Sequence, residues 1–168
     1  MAGELARYLS DDHDRLDALL ERAAARPGEV DPEPFAEFRK GIVRHIGIEE
    51  KIMLPAIAQA RGGSPIAEAE RLRLDHGAIV ALLVPPPDPA IIATLRSILP
   101  SHNDLEEREG GVYDQFDRAA GANTDAMLER LRTFPEVPVL PHNPRPEILD
   151  ATRRALERAG YTLKDNRA

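Results

Sequence analysis

The sequence predicts an all-α protein: an up-down-up-down four-helix bundle with an extra C-terminal Pro-rich segment and short helix. Three observations predict it. Apolar residues recur at the three- and four-residue spacing of a helix face, and nothing alternates with the period of two that a strand needs. Pro and Gly clusters cut the chain into four long segments joined by short links, the pattern of antiparallel neighbours. Hydrophobic residues make up 42% of the 168, enough for one core, but aromatics are only 4% and Trp is absent. That core must be built from Leu, Ile, Val and Ala, which suits packed helices.

The first helix runs from about Glu4 to Ala25, with Leu5, Leu9, Leu16 and Leu20 on one face, and Arg26-Pro27-Gly28 stops it. Asp31 before Pro32 is a cap and first turn for the second helix, which extends to about Ala60 through Phe35, Phe38, Ile42, Ile46 and Met53. Pro55 lies inside that pattern, so a kink or loosened last turns are expected. The third helix covers about Pro65 to Val84. The fourth is expected to run from about Pro89 to Ala120, bent at Pro100. A short helix follows at Thr124–Arg132. Prolines then crowd the chain from Pro135 to Pro146, which reads as extended, and a last amphipathic helix spans about Pro146 to Ala159. The expected division is a bundle over residues 1–121 and an extension over 122–168, packed on the bundle or tethered to it.

Composition removes several functions. With no Cys, disulfides and thiolate metal sites are excluded. A formal net charge of -7 argues against nucleic acid as partner. No apolar run approaches the length of a membrane span, and the first residues lack the basic-then-apolar pattern of a secretory signal, so a cytoplasmic protein is expected. Gly62-Gly63 has no Lys after it, so it is a turn and not a phosphate loop; a G-x-S-x-G nucleophile turn is absent.

The five histidines carry the chemistry. His13, His45, His76 and His102 fall one to each long helix, each where the apolar stripe would otherwise continue. His13 follows Leu9 by four and precedes Leu16 by three; His76 stands likewise between Leu72 and Ile79, and His102 between Ile98 and Leu105. All four imidazoles therefore point inward. His45 and His102 each have a glutamate one turn later, Glu49 and Glu106, in two H-x-x-x-E motifs whose members share a helix face. The heights agree as well. His13 lies 13 residues before Arg26 and His45 lies 13 after Pro32, while Glu49 to Ala60 and Pro65 to His76 are both 11. The last hairpin matches less well, 8 residues against 13, a difference of about 7 Å at the helical rise. Four imidazoles and two carboxylates buried without a cation would be costly, since each polar group needs a partner. Four core histidines with local hydrogen bonds are the plain alternative, and they leave the spacing unexplained.

This pattern resembles the hemerythrin-like family, the HHE cation-binding domains: His, then H-x-x-x-E, then His, then H-x-x-x-E, on four successive helices. The flanking Glu49-Glu50 before Leu54-Pro55, and Glu106-Glu107 before Tyr113, resemble it too. The resemblance covers about residues 1–120. It implies a four-helix bundle around two iron ions, bridged by Glu49, Glu106 and an oxo or hydroxo group, with His13 and His45 on one ion and His76 and His102 on the other. Oxygen-carrying members have a further His one turn before the third-helix His, where this chain has Leu72, and a carboxylate five residues after the last His, here Glu107. Glu106 is preferred because it mirrors Glu49. One ion is then left with an open position. That fits the broader family, whose members bind iron and respond to oxygen, peroxide or nitric oxide.

Imidazole with carboxylate suits Fe, Mn or Zn, and spacing alone does not separate them. The Glu-x-x-His pairs of ferritin-like sites are absent. Asp12, Asp17, Glu50, Asp75 and Asp104 are candidates to hold the ligands from behind. Tyr8 and Tyr113 are read as core or rim packing; along one continuous helix Tyr113 would stand about 16 Å from His102. His142 is read as a surface-loop residue. Three functional readings stay open: a di-iron protein that binds or responds to a small diatomic gas or peroxide; an oxidase, peroxide reductase or nitric-oxide reductase at the same centre; and an interaction module with a Zn-filled or empty site, meeting a protein partner through the Pro-rich tail.

Overall fold

The structure, a computed structural model, describes residues 2–165, so the ends of the expected 1–121 and 122–168 division lie outside the described residues. It is helical, with no strand among the described residues. In chain order the helices are α1 (Glu4–Ala23), α2 (Pro32–Ile48), α3 (Leu54–Ala60), α4 (Ala69–Leu82), α5 (Pro89–Glu107), α6 (Val112–Ala120), α7 (Thr124–Arg132) and α8 (Pro146–Ala159). Among the described residues, no helix is long and apolar enough to cross a membrane.

The helix starts follow from local chemistry. Asp31 accepts the Glu33 N–H at 3.2 Å with Pro32 beginning α2, and Asp88 accepts the Ile91 N–H at 2.9 Å with Pro89 beginning α5. The first turn of α1 is capped from elsewhere in the chain. Asp117 on α6 accepts the N–H groups of Leu5 and Ala6 at 3.0 and 3.3 Å, with the side-chain-free Gly3 beside it. Between α2 and α3 the helix widens to a π-turn over Glu49–Met53, where the Leu54 N–H reaches the Glu49 carbonyl. Pro55 has no N–H to return to the preceding turn, so the loosening expected there takes this form. Pro100 lies inside α5, which runs on through it.

The fourth long helix is not continuous to Ala120. It ends at Glu107 and restarts at Val112. Gly110 sits at φ +74°, and Gly111 packs so closely that a Cβ would stand 2.7 Å from the carbonyl oxygens of both Glu106 and Arg108. The Gly pair therefore turns the chain, and α6 sets off in a new direction against α1 and α3. The α4–α5 connection also differs in length from the expectation. His76 lies 6 residues before the end of α4 and His102 lies 13 after the start of α5. The 7-residue difference is about 10 Å of helix, and six linking residues, Leu83–Asp88, span up to about 20 Å when extended, which absorbs it.

The core has two apolar halves. One gathers Leu16, Leu20, Phe35, Phe38, Ile79 and Leu95; the other gathers Leu5, Leu9, Ile48, Met53, Leu72 and Phe116. The membership changes along each helix where a histidine stands: Leu9 and Leu16 flank His13, and Leu72 and Ile79 flank His76. A buried polar layer thus lies between two hydrophobic ones. The chain beyond α7 has no regular structure until α8. It is held to α2 by Arg44, which donates to the Phe134 and Leu131 carbonyls at 3.0 and 2.9 Å. Helix α8 then lies against α4. His142 is in a loop as expected, but half-buried, its ring 6.2 Å from that of Phe35.

Candidate metal centre

The structure brings all six sequence-predicted residues into the polar layer. His13, His45, His76 and His102 come from α1, α2, α4 and α5, and each is buried. Glu49 comes from the π-turn and Glu106 from the last turn of α5, and both are 0% exposed. The imidazoles of consecutive histidine-bearing helices pair: the rings of His13 and His45 are 4.5 Å apart, and those of His76 and His102 are 5.0 Å apart.

The Nε2 atoms face the two glutamates. His45 Nε2 is 3.0 Å from Glu49 Oε1, and His76 Nε2 is 3.1 Å from Glu49 Oε2. His13 Nε2 and His102 Nε2 are each 3.5 Å from Glu106 Oε2. The donor atoms fall into two compact sets: His13, His45 and Glu49 form one, and Glu49, His76, His102 and Glu106 form the other. Glu49 belongs to both, one oxygen towards each.

Behind the rings, every Nδ1 meets a carboxylate. His45 pairs with Asp12 at 2.8 Å, His76 with Glu50 at 2.7 Å, His102 with Asp75 at 3.3 Å, and His13 with Glu107. In the neutral imidazole this would place the proton on Nδ1 and leave the Nε2 lone pair for a metal, as metal-binding imidazoles require. Asp12, Glu50 and Asp75 do what their positions suggested. Asp17 and Asp104 do not; both are exposed and neither hydrogen-bonds an imidazole. Glu107 takes the place that was left for them, as a partner of His13.

The charges of the centre suit a cation. Burial alone would depress His45 and His76, but Glu49 with Asp12, and Glu49 with Glu50, outweigh it and hold each at about 9. His102 goes the other way, lowered by burial despite Asp75. Burial would raise Glu49, yet His45 and His76 pull it well below the usual carboxylate range. Glu106 is pushed well above that range by burial and by the Glu49 charge. Without a cation, then, one carboxylate keeps its charge at the expense of the other. Three fully buried ligand atoms have no hydrogen bond at all: Glu49 Oε2, His76 Nε2 and Glu106 Oε1. His76 Nε2 and Glu49 Oε2 are close without the geometry of a hydrogen bond. The residues present fit a cation, which would satisfy all three.

Sequence reasoning missed Tyr113. Its ring packs in the core as expected, at 1% exposure, but its hydroxyl reaches the centre. Its hydroxyl donates to Glu49 Oε1 at 2.7 Å and stands 3.0 Å from His13 Nε2, 3.2 Å from His45 Nε2 and 3.3 Å from Glu106 Oε2. The restart at Gly110-Gly111 cancels the 16 Å that a continuous helix would impose, and those two glycines were the signal available. Asp117, one turn further along α6, anchors that helix on α1. Tyr8, by contrast, is half-buried, with its hydroxyl 3.5 Å from the Leu131 carbonyl and away from the centre.

Neither a search of the curated proteins nor a search of the solved structures finds a match. The Hemerythrin HHE cation binding domain matches residues 4–134, which takes in every residue of the centre and stops before α8. With its buried His and Glu cluster fit for a metal, the chain belongs to the hemerythrin HHE cation-binding domain family.

Proposed function

We propose that the chain holds two iron ions in the polar layer of an up-down-up-down bundle and binds or responds to oxygen, peroxide or nitric oxide there. The carrying observation is the pair of donor sets that share Glu49, with three buried ligand atoms left without hydrogen bonds. One ion takes His13, His45 and Glu49; the other takes His76, His102, Glu49 and Glu106. Imidazole and carboxylate are ligands that non-haem iron accepts, and family membership favours iron over Mn or Zn.

Tyr113 makes the two positions unequal. The Tyr113 oxygen stands within 3.2 Å of ligand atoms of His13, His45 and Glu49 at once. It would be a further ligand of an ion held there, and such a cation would favour the phenolate that burial and the two glutamates oppose. The second position would have Glu106 in place of Tyr113, and Leu72 stands where oxygen-carrying members have a further histidine. Bound iron supplies redox chemistry and a place for a small ligand. The chain itself orients the imidazoles through the four carboxylates and walls off bulk water with apolar layers on both sides.

The test is anaerobic loading with ferrous iron, followed by exposure to oxygen, peroxide and nitric oxide in turn. The proposal expects spectral change with at least one of them in the wild type and lost iron in His45→Ala and Glu49→Ala. Unchanged iron content in both variants overturns it.

A further inference from the structure

The C-terminal helix lies outside the region that the family match covers, yet it reaches the centre in three steps. The Ala159 carbonyl at the end of α8 accepts a hydrogen bond from Arg71 Nη2 at 2.7 Å. Arg71, on α4, also donates to Asp75 Oδ1, through Nε at 3.1 Å and through Nη2. The other Asp75 oxygen holds His102 Nδ1 at 3.3 Å. The Tyr161 ring, just beyond α8, lies 5.6 Å from the Arg71 guanidinium carbon as a cation–π contact.

The end of α8 is itself well fixed. Gly160 adopts the left-handed conformation at φ +84° that closes the helix, and the Tyr161 N–H returns to the Leu156 carbonyl at 2.8 Å. Leu156 and Ala159 are buried in the same apolar half as Ile79 and Leu95. Thr152 donates to the Ala81 carbonyl at 3.0 Å, and the Lys164 N–H reaches Thr94 on α5 at 2.9 Å. These contacts fall on α4 and α5, the helices that carry His76 and His102.

Arg15 pairs with Asp12 and Arg73 with Glu50, their side chains 53% and 55% exposed against 41% for Arg71; Arg71 donates not only to its carboxylate but also to the Ala159 carbonyl. Asp75 is the deeply buried carboxylate of the four, 2% exposed. A carboxylate that deep needs a counter-charge in fixed geometry. Arg71 provides it from one turn earlier on α4, and the Ala159 carbonyl and the Tyr161 ring contact the same guanidinium.

We propose that α8 is a working part of the second metal position. Arg71 is its positioning residue: it transmits the docking of α8 to Asp75 and so to the orientation of His102. The inference rests on the two-position reading above. It gives the segment beyond residue 134 a role within the chain, not that of a free arm.

The test is release of ferrous iron from the loaded full-length protein to a coloured chelator. Wild-type protein is expected to release two ions per chain in two resolved phases. Arg71→Gln is expected to accelerate one phase about tenfold, the size of effect that losing an outer-shell partner has on a metal site, and to leave the other phase unchanged. Tyr161→Ala, which touches no ligand, should accelerate the same phase less, and keeps the test open if Arg71→Gln folds poorly. Asp12→Asn should accelerate the other phase. A merely structural role for α8 would move both phases together or neither, and either result overturns the proposal. Fewer than two ions in the wild type would instead overturn the two-position reading.

Discussion

The hydroxyl of Tyr113 lies 2.7 Å from Glu49 Oε1, although 64 residues and a broken helix separate them. That contact draws α6 into the centre and places a phenol oxygen beside His13, His45 and Glu49.

Tyr113→Phe removes only that oxygen. After loading with ferrous iron and oxidation to the ferric state in air, the wild type should carry a visible phenolate-to-iron absorption band, and the variant should lose it while keeping most of its iron. Absorption spectroscopy on matched samples checks this; an identical visible spectrum would remove Tyr113 from the ligand set.

Gly111→Ala places a methyl group 2.7 Å from two carbonyl oxygens. The turn must open, at a cost of about 1–3 kcal/mol. Thermal unfolding should report the loss. The Tyr113 band should also weaken, because the restart of α6 is what delivers the side chain.

Asp117→Ala uncovers two N–H groups at the start of α1. Loss of such a cap costs about 1 kcal/mol. The expected result is a lower Tm in the metal-free protein. Asp117→Asn, which keeps an acceptor, should recover part of it.

Metal-free protein should show a pH dependence that the loaded protein lacks. His45 and His76 are each raised to about 9 in the folded chain. A raised histidine stabilises the fold fully below its unfolded value, about 6.5, and that stability disappears as pH rises through the folded value. Denaturant midpoints of the metal-free chain should therefore fall between about pH 6.5 and 9. A flat profile over that range would contradict the burial of two charged imidazoles beside Glu49.

The central layer was legible in the sequence because each histidine interrupts an apolar helix stripe, and such a stripe has one direction to face. The same logic misled at residues 108–111. The apolar positions Leu105, Val112 and Phe116 continue in helical register, so the stripe reads through a break that only Gly110-Gly111 reveals. Tyr113 was lost with it. The carboxylates behind the rings were half legible. Asp12, Glu50 and Asp75 are neighbours in sequence of residues in the layer, but so are Asp17 and Asp104, and side-chain direction decides which of them meets an Nδ1. The Arg71–Ala159 contact joins residues 88 apart, and no local pattern marks it.

The most direct measurement is the metal content per chain of protein loaded with ferrous iron and freed of excess by gel filtration. The account predicts two irons per chain, falling to one or none in Glu49→Ala, because that carboxylate faces both positions. One iron per chain in the wild type, or two in the variant, would contradict it.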